Sequence, residues 1–125
     1  MFTPERQTGN LGEDLAKKYL QKKNYIIIES NYHSKFGEID IIASATQEVS
    51  WLVFIEVKTR TRENHNFFGY PEDLVDYSKE RKISATASIY MDKKNLNPDH
   101  WRIDIVVVDL NMQTRKAEIR HFENI

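Results

Sequence analysis

The segment WLVFIEVKTR, residues 51–60, decides the fold because it reads as a β-strand that begins in a core and ends in a charged cleft. Side chains alternate along a strand, so its even-numbered residues share one face. That face begins with apolar side chains and ends with Glu56 and Lys58. The strand therefore carries a carboxylate and an ammonium to the point where it leaves the core.

The segment before it, GEIDIIA over residues 37–43, carries another acid in apolar surroundings. Alternation predicts that Asp40 faces away from Ile39 and Ile41. A carboxylate on a core strand costs free energy unless it is paired or binds a metal. If the two strands pair, Asp40 and Glu56 converge. Two carboxylates beside a lysine then suit a hard divalent cation such as Mg²⁺.

Outward from these strands, periodicity and turn residues predict two helices and five strands. One predicted helix covers residues 11–23 with Asn10 as its N-cap, and the other starts near Pro71 or Ser78 and ends before a break at residues 95–99. The predicted strands cover residues 25–29, 37–43, 51–60, 103–110 and 116–122, and residues 61–69 form a loop. The order α-β-β-β-α-β-β predicts one α/β domain over residues 1–125, with a mixed sheet flanked by helices.

Composition excludes several classes of protein. The chain has 125 residues, 40% of them hydrophobic, which is enough for one core. It has no cysteine, so a disulfide framework, a zinc–thiolate site and a cysteine nucleophile are excluded. No run approaches the roughly 18 apolar residues of a membrane span, and the polar start MFTPERQTGN lacks a secretory signal. We therefore expect a cytoplasmic protein without a membrane partner.

An acid two residues before a lysine is a weak signal, because the chain contains it three times. The other copies, at residues 80–82 and 92–94, lie in polar surroundings typical of a solvated face. For Glu56 and Lys58 the alternative is a surface ion pair on an edge strand. Arg60 and Arg62 extend the same face as a basic track that fits a phosphate backbone. The alternative for the two arginines is a solubilising strand end, and the net charge of −1 gives no independent support for DNA binding.

At these residues the sequence resembles the YraN family of small bacterial proteins. That family is similar to archaeal Holliday-junction resolvases and to the restriction-endonuclease-like superfamily with the PD-(D/E)xK motif. The resemblance covers nearly the whole chain. It rests on Gly12-Glu13, Gly37-Glu38-Ile39-Asp40, Phe54-Ile55-Glu56-Val57-Lys58 with Arg60, then Gly69, Lys79 and Arg102-Ile103-Asp104. The proline of the motif's name is absent, because Ile39 precedes Asp40.

The resemblance implies a role for each matched site residue. Asp40 and Glu56 would bind Mg²⁺ or Mn²⁺, with the Val57 carbonyl as a further ligand. Lys58 would orient or activate the attacking water and stabilise charge on the phosphoryl oxygens. Glu13 would complete the acidic cluster, and the alternative is a first-turn acid that favours the helix dipole.

Two further matched positions keep simpler alternatives. Lys79 would contact phosphate, or it is an exposed helix lysine. Arg102 and Asp104 favour a structural ion pair over catalysis.

Together the residues and the resemblance lead to the hypothesis of a metal-dependent nuclease acting on branched or damaged DNA. The resemblance to resolvases also implies a symmetric homodimer. One competing hypothesis is a nucleic-acid-binding or partner-binding module that keeps the fold without catalysis. Another is that the charged cluster is purely structural.

Overall fold

The computed structural model describes residues 4–45, 51–62, 77–98 and 100–125, and it describes only the backbone at residues 4–8, 62 and 77. Two helices and five strands occur in these ranges. The helices are α1 (Pro4–Lys22) and α2 (Tyr77–Lys93). The strands are β1 (Ile26–Ser34), β2 (Gly37–Ser44), β3 (Trp51–Arg62), β4 (His100–Asn111) and β5 (Lys116–Phe122). The predicted order α-β-β-β-α-β-β is confirmed.

The five strands form one mixed sheet in the order β1-β2-β3-β4-β5. Strand β3 runs parallel to β4, and the other neighbours are antiparallel, which confirms the antiparallel pairing predicted for the first three strands. The parallel pair is the longest ladder and extends from Trp51↔His100 to Arg62↔Asn111. In the described parts of the chain, neither helix is long and apolar enough to cross a membrane.

Each face of the sheet carries its own buried cluster. The face covered by α1, called here the α1 face, buries Ala16, Leu20, Ile41, Ala43, Val53, Ile55, Val106, Val108 and Leu110. The face covered by α2, called the α2 face, buries Ile39, Ile42, Leu52, Phe54, Ile83, Ala87, Tyr90 and Ile103. Even-numbered β3 residues therefore point toward α2, and this face leads directly to Glu56.

Strand β2 breaks the predicted alternation. Ile39 and Ile42 both belong to the α2 face, whereas Ile41 belongs to the α1 face, so the prediction that Ile39 and Ile41 share a face is wrong. The ladder between β2 and β3 begins only at Ile41↔Ile55. Before that pair, β2 is not held in register with β3, and its side chains need not follow the pleat of the sheet. Asp40 lies at this irregularity.

Helix α1 starts earlier than predicted, because it begins at Pro4 and Asn10 lies inside it rather than at its N-cap. Proline suits a first helical turn, since its missing N–H needs no partner there. In the second helix, the start at Tyr77 leaves Pro71 outside the described residues. The predicted loop at residues 61–69 is wrong at its beginning, because β3 continues to Arg62; the remainder lies outside the described residues.

Both helices end in the same way, with an asparagine in the left-handed conformation. Asn24 has φ 69° and Asn95 has φ 53°. The next amide donates back five residues in each case, from Tyr25 to the Leu20 carbonyl and from Leu96 to the Met91 carbonyl. This pattern is a Schellman motif, and it satisfies carbonyls that the helix itself leaves open.

Helix α1 crosses β3 at its closest approach through Gly12, where a Cβ would overlap the Thr59 side chain. We expect Gly12→Ala to lower the free energy of unfolding by about 1–3 kcal/mol, because overpacking forces the helix away from the sheet. Gly9→Ala is the matched control, since a Cβ at Gly9 meets nothing within 4 Å. That change should stabilise by about 0.5–1 kcal/mol through helix propensity. Urea unfolding measures both, and equal stabilisation would contradict the close contact.

Candidate active site

The site is built where β2 and β3 separate. Their ladder ends at Ile41↔Ile55, while β3 continues beside β4 as far as Arg62. The amide of Val57 lies just beyond the last β2–β3 pair and donates a hydrogen bond to Asp40 Oδ2 at 2.8 Å. The Asp40 carboxyl group thus accepts a β3 amide where the backbone ladder between the two strands has stopped. This contact fixes the carboxyl group in the opening between the strands.

Glu56 meets Asp40 in this opening. Its side chain is only 8% exposed at the end of the apolar run of β3, and its negative charge acts on the Asp40 carboxyl group. Burial, followed by the negative charge of Glu56, raises the pKa of Asp40 to about 8, against the opposing hydrogen bond from the Val57 amide. The environment therefore favours the protonated form of Asp40 beside Glu56.

Two lysines flank this pair. Lys58 follows Glu56 on β3, and Lys79 reaches Glu56 from the first turn of α2, where it forms an ion pair with Oε2 and brings its charge close to Lys58. Burial, then the charge of Lys79, lowers the pKa of Lys58. For Lys79, burial lowers the pKa, but the hydrogen bond and charge of Glu56 outweigh it, and the pKa is raised. Lys58 is therefore the amine that gives up a proton more readily.

Glu13 lies near the pair but has its own partner. It is half-buried, and its Oε1 accepts a hydrogen bond from Asn31 Nδ2 at 2.9 Å. Asn31 lies on β1 between the pairs Ser30↔Ile41 and Tyr32↔Ile39, and so stands opposite Asp40. The charge of Glu13 contributes to the raised pKa of Asp40. The structure thus brings Glu13 to the edge of the site, and its role in completing the acidic cluster stays a prediction.

The donor set fits a hard divalent cation held by few protein ligands. Within the described ranges, no three Asp, Glu, His or Cys side chains converge on one metal position. Mg²⁺, however, is usually held by one or two carboxylates and keeps several waters. Asp40 and Glu56 supply two carboxyl groups, and the charge of Glu56 helps to raise the pKa of Asp40. With the Val57 carbonyl, they are residues that would suit Mg²⁺ or Mn²⁺.

Comparison with known proteins adds family membership to this geometry. Residues 12–108 match the uncharacterised protein family UPF0102. This chain belongs to the UPF0102 family. The UPF0102 protein of Caldanaerobacter subterraneus subsp. tengcongensis is 40% identical over 121 residues, which cover 96% of this chain and 94% of the relative. That of Clostridioides difficile is 42% identical over 105 residues, covering 84% of this chain and 87% of the relative.

A third UPF0102 relative, from Clostridium beijerinckii, is 36% identical over 119 residues, covering 95% of this chain and 92% of the relative. These matches confirm the resemblance to the YraN family. The matched region contains Glu13, Asp40, Glu56, Lys58 and Lys79. The family's description names no activity, so the chemistry of this UPF0102 chain has to be argued from its own side chains.

The predicted basic track takes an unexpected form. Arg60 Nε lies 3.2 Å from Asp109 Oδ1, and an Arg120 guanidinium nitrogen lies 3.2 Å from Asp109 Oδ2. Asp109 is 3% exposed, so Arg60, Arg120 and Asp109 form a largely buried cluster. Arg60 lies two residues beyond Lys58 on the strand, which is about 6.6 Å. The Arg62 side chain lies outside the described part of the structure. DNA binding by Arg60, Arg62 and Lys79 stays a prediction.

A second charged cluster lies on the other side of the sheet. Arg102 Nε donates to Asp104 Oδ1 at 3.0 Å, which confirms the predicted ion pair. His121 Nε2 lies 2.7 Å from Asp104 Oδ2, and His121 Nδ1 lies 3.3 Å from the Tyr19 hydroxyl. Tyr19 packs against the core of the α1 face. The sheet therefore separates this cluster from Glu56, and the cluster lies beside the core of the α1 face.

Sequence reasoning missed two features of the site. The first is Asn31, which no sequence pattern singles out. Asparagine tolerates the left-handed conformation, and Asn31 adopts it here at φ 51°. The direct ion pair between Lys79 and Glu56 was also missed, because the two residues are far apart in the sequence and no local pattern joins them. Only the family resemblance had drawn attention to Lys79.

Proposed function

We propose that this UPF0102 protein is a metal-dependent nuclease that hydrolyses phosphodiester bonds in DNA, with branched or damaged DNA as its substrate. One observation carries the proposal: Asp40, held by the Val57 amide, and the buried Glu56 lie together in the opening between β2 and β3, directly beside Lys58. Such a pair at the end of an apolar strand is costly for the fold and is typical of a functional site. The cost is explained if the pair holds a cation during catalysis.

The chemistry follows from the positions of the side chains. A Mg²⁺ or Mn²⁺ ion held by Asp40, Glu56 and the Val57 carbonyl would polarise a phosphoryl oxygen and lower the pKa of a water molecule. Lys58, whose pKa is lowered by burial and by Lys79, accepts a proton from the attacking water or orients it. The Lys79 ammonium lies close enough to Lys58 to bind a neighbouring phosphate oxygen.

Attraction to DNA must be local in this protein, because the net charge is −1. Lys58, Lys79 and Arg60 place positive charge beside the carboxyl pair. Such contacts make binding weaken as salt rises, with a shallow slope when few phosphates are contacted. A symmetric homodimer is part of the proposal, since two sites could then address two strands of a branched substrate. Analytical ultracentrifugation measures the oligomeric state.

A second candidate function is nucleic-acid or partner binding without catalysis. The Lys79–Glu56 ion pair favours it, because this contact satisfies the buried carboxylate without any metal. Such a module would bind DNA in the presence of a chelator and would give no heat of metal binding at Asp40 and Glu56. The proposed nuclease, in contrast, requires the metal for cleavage.

Cleavage assays with labelled junction, flap, single-stranded and duplex DNA in Mg²⁺ or Mn²⁺ test the proposal. We expect Lys58→Met to slow cleavage about 10²–10⁴-fold, which is the usual contribution of a proton-transfer group. Lys94→Met is the matched control, because Lys94 is an exposed lysine of another acid-x-lysine triplet. The proposal fails if none of the substrates is cut, or if Lys58→Met cuts as fast as the control.

A further inference from the structure

Lys79 pairs with the Glu56 carboxylate, which is also a ligand of the proposed metal. Its ammonium pairs with Oε2 of Glu56, one of the oxygens of the proposed ligand set. We propose that Lys79 is a built-in counter-cation, which a divalent metal displaces from Glu56 and which then binds a phosphate of the substrate. The inference rests on the proposed metal site and adds an exchange step to it.

The two partners differ in their freedom to move. The Glu56 side chain is 8% exposed and fixed on the central strand β3, whereas the Lys79 side chain is 42% exposed in the first turn of α2. Lysine carries its charge on a flexible four-carbon stem, so its ammonium can move into solvent while the helix stays in place. When two cations compete for Glu56 Oε2, Lys79 is therefore the one that leaves.

Charge balance gives the direction of the exchange. Without a metal, Lys79 neutralises Glu56, and its charge already acts on the neighbouring Lys58. A dication bound by the two carboxyl groups adds positive charge next to Lys58 and Lys79. The repulsion between the dication and the two ammonium groups is large in a partly buried site. An incoming phosphate relieves it by giving the released ammonium a new anion.

The neighbouring Asp109 cluster in the same sheet offers a contrast, because its cations are arginines. There a buried carboxylate is held by Arg60 and Arg120, one on each of its oxygens. A guanidinium is planar and offers several donors, so exchange of one contact does not release it. Glu56 is instead paired with a lysine, whose single charged atom is released by one exchange. A lysine, rather than an arginine, therefore suits an ion pair with Glu56 that has to open.

Acylation of lysines by an amine-reactive acetylating reagent, read by mass spectrometry at constant pH, tests the displacement without any activity assay. We expect Mn²⁺ or Mg²⁺ to increase the labelling rate of Lys79 about fivefold, the factor that an ion pair of this exposure is worth. Lys94 serves as the internal control and should not change. In Glu56→Gln, Lys79 should label rapidly without metal and show no response to it.

Titration calorimetry with Mn²⁺ separates this inference from the proposed function. Without the competing ammonium, Lys79→Met should bind Mn²⁺ about fivefold more tightly than wild type, and Lys94→Met should bind as wild type does. If wild type binds Mn²⁺ but Lys79 labelling stays constant, or if Lys79→Met binds more weakly, the displacement is wrong and the metal site stands. If neither wild type nor Lys79→Met binds Mn²⁺, both ideas fall. Binding by Lys79→Met alone would support the displacement.

Discussion

Replacing Asp40 with asparagine is expected to slow DNA cleavage strongly and, without divalent metal, to stabilise the fold. The loss of cleavage should be about 10²–10³-fold or more, as when one group that stabilises the transition state is removed. The gain in stability has a separate cause. The asparagine oxygen still accepts the hydrogen bond from the Val57 amide, and its NH₂ donates to Glu56 in place of a second carboxylate.

The pH dependence of this effect follows from the raised pKa of Asp40. This carboxyl group titrates near 3.8 in the unfolded chain and near 8 in the folded protein. Between these values the folded state binds the additional proton, so the stability of wild type falls as pH rises through this window. Asparagine removes that titration. Asp40→Asn should therefore exceed wild type by several kcal/mol at pH 9 in EDTA, and by little near pH 4.

Urea unfolding with and without Mn²⁺ provides the measurement. Metal should stabilise wild type, because it binds only the folded state, and should leave Asp40→Asn unchanged. Asp92→Asn makes the same chemical change at an exposed position and should alter neither stability nor cleavage. A less stable Asp40→Asn at pH 9 would show that the carboxyl groups do not repel each other.

The largest expected loss of stability comes from Asp104→Asn. Asp104 is fully buried and accepts from Arg102 Nε at 3.0 Å and from the Asn124 amide at 2.9 Å, while His121 lies 2.7 Å away. Substitution leaves the guanidinium of Arg102, only 14% exposed, without its buried anion and with only the exposed Glu123 as a charged partner. Breaking a buried pair on one side costs about 3–5 kcal/mol. We expect a loss of that size in urea at pH 7.

This loss also has a defined pH dependence. Burial raises the pKa of Asp104, but hydrogen bonds from His121, Arg102 and the Asn124 amide outweigh it, and the pKa lies below 3.8. The stabilisation is therefore present above pH 3.8 and disappears as pH falls through the lower folded value. The difference between wild type and Asp104→Asn should shrink in acid.

Glu123→Gln is the control within the same cluster. Glu123 lies 3.6 Å from Arg102, but its side chain is 55% exposed. An exposed pair contributes about 0–1 kcal/mol, so this variant should remain close to wild type. Equal losses for Asp104→Asn and Glu123→Gln would mean that burial does not determine the strength of these contacts.

Much of the fold was predictable because its signals are local. The apolar run that ends at Glu56 fixed β3 and the face of its side chains, and the turn before Gly37 indicated the β1–β2 hairpin. Asp40 was predicted to meet Glu56 on the assumption of pairing strands, and the contact exists. Alternation alone, however, placed Ile39 and Ile41 on one face. It could not reveal that β2 leaves the ladder before Ile41.

The remaining differences concern contacts between distant parts of the chain. Arg60 was expected on a basic track, but its guanidinium pairs with Asp109 of the neighbouring strand. Lys79 meets Glu56 only because α2 packs against the same face of the sheet. Such pairings depend on which strands and helices become neighbours. Neither periodicity nor composition contains that information.

The crossing of α1 over β3 at Gly12 has a consequence for the next residue, Glu13. The helix backbone at Gly12 lies directly against the Thr59 side chain, so the helix cannot approach the strand further, and a residue larger than glycine would push it away. The depth of Glu13 beside Asp40 is therefore set by the contact between Gly12 and Thr59 rather than by the length of the Glu13 side chain. An engineered change of one ångström in the reach of this carboxylate would have to be made at Gly12 or Thr59, and not at Glu13.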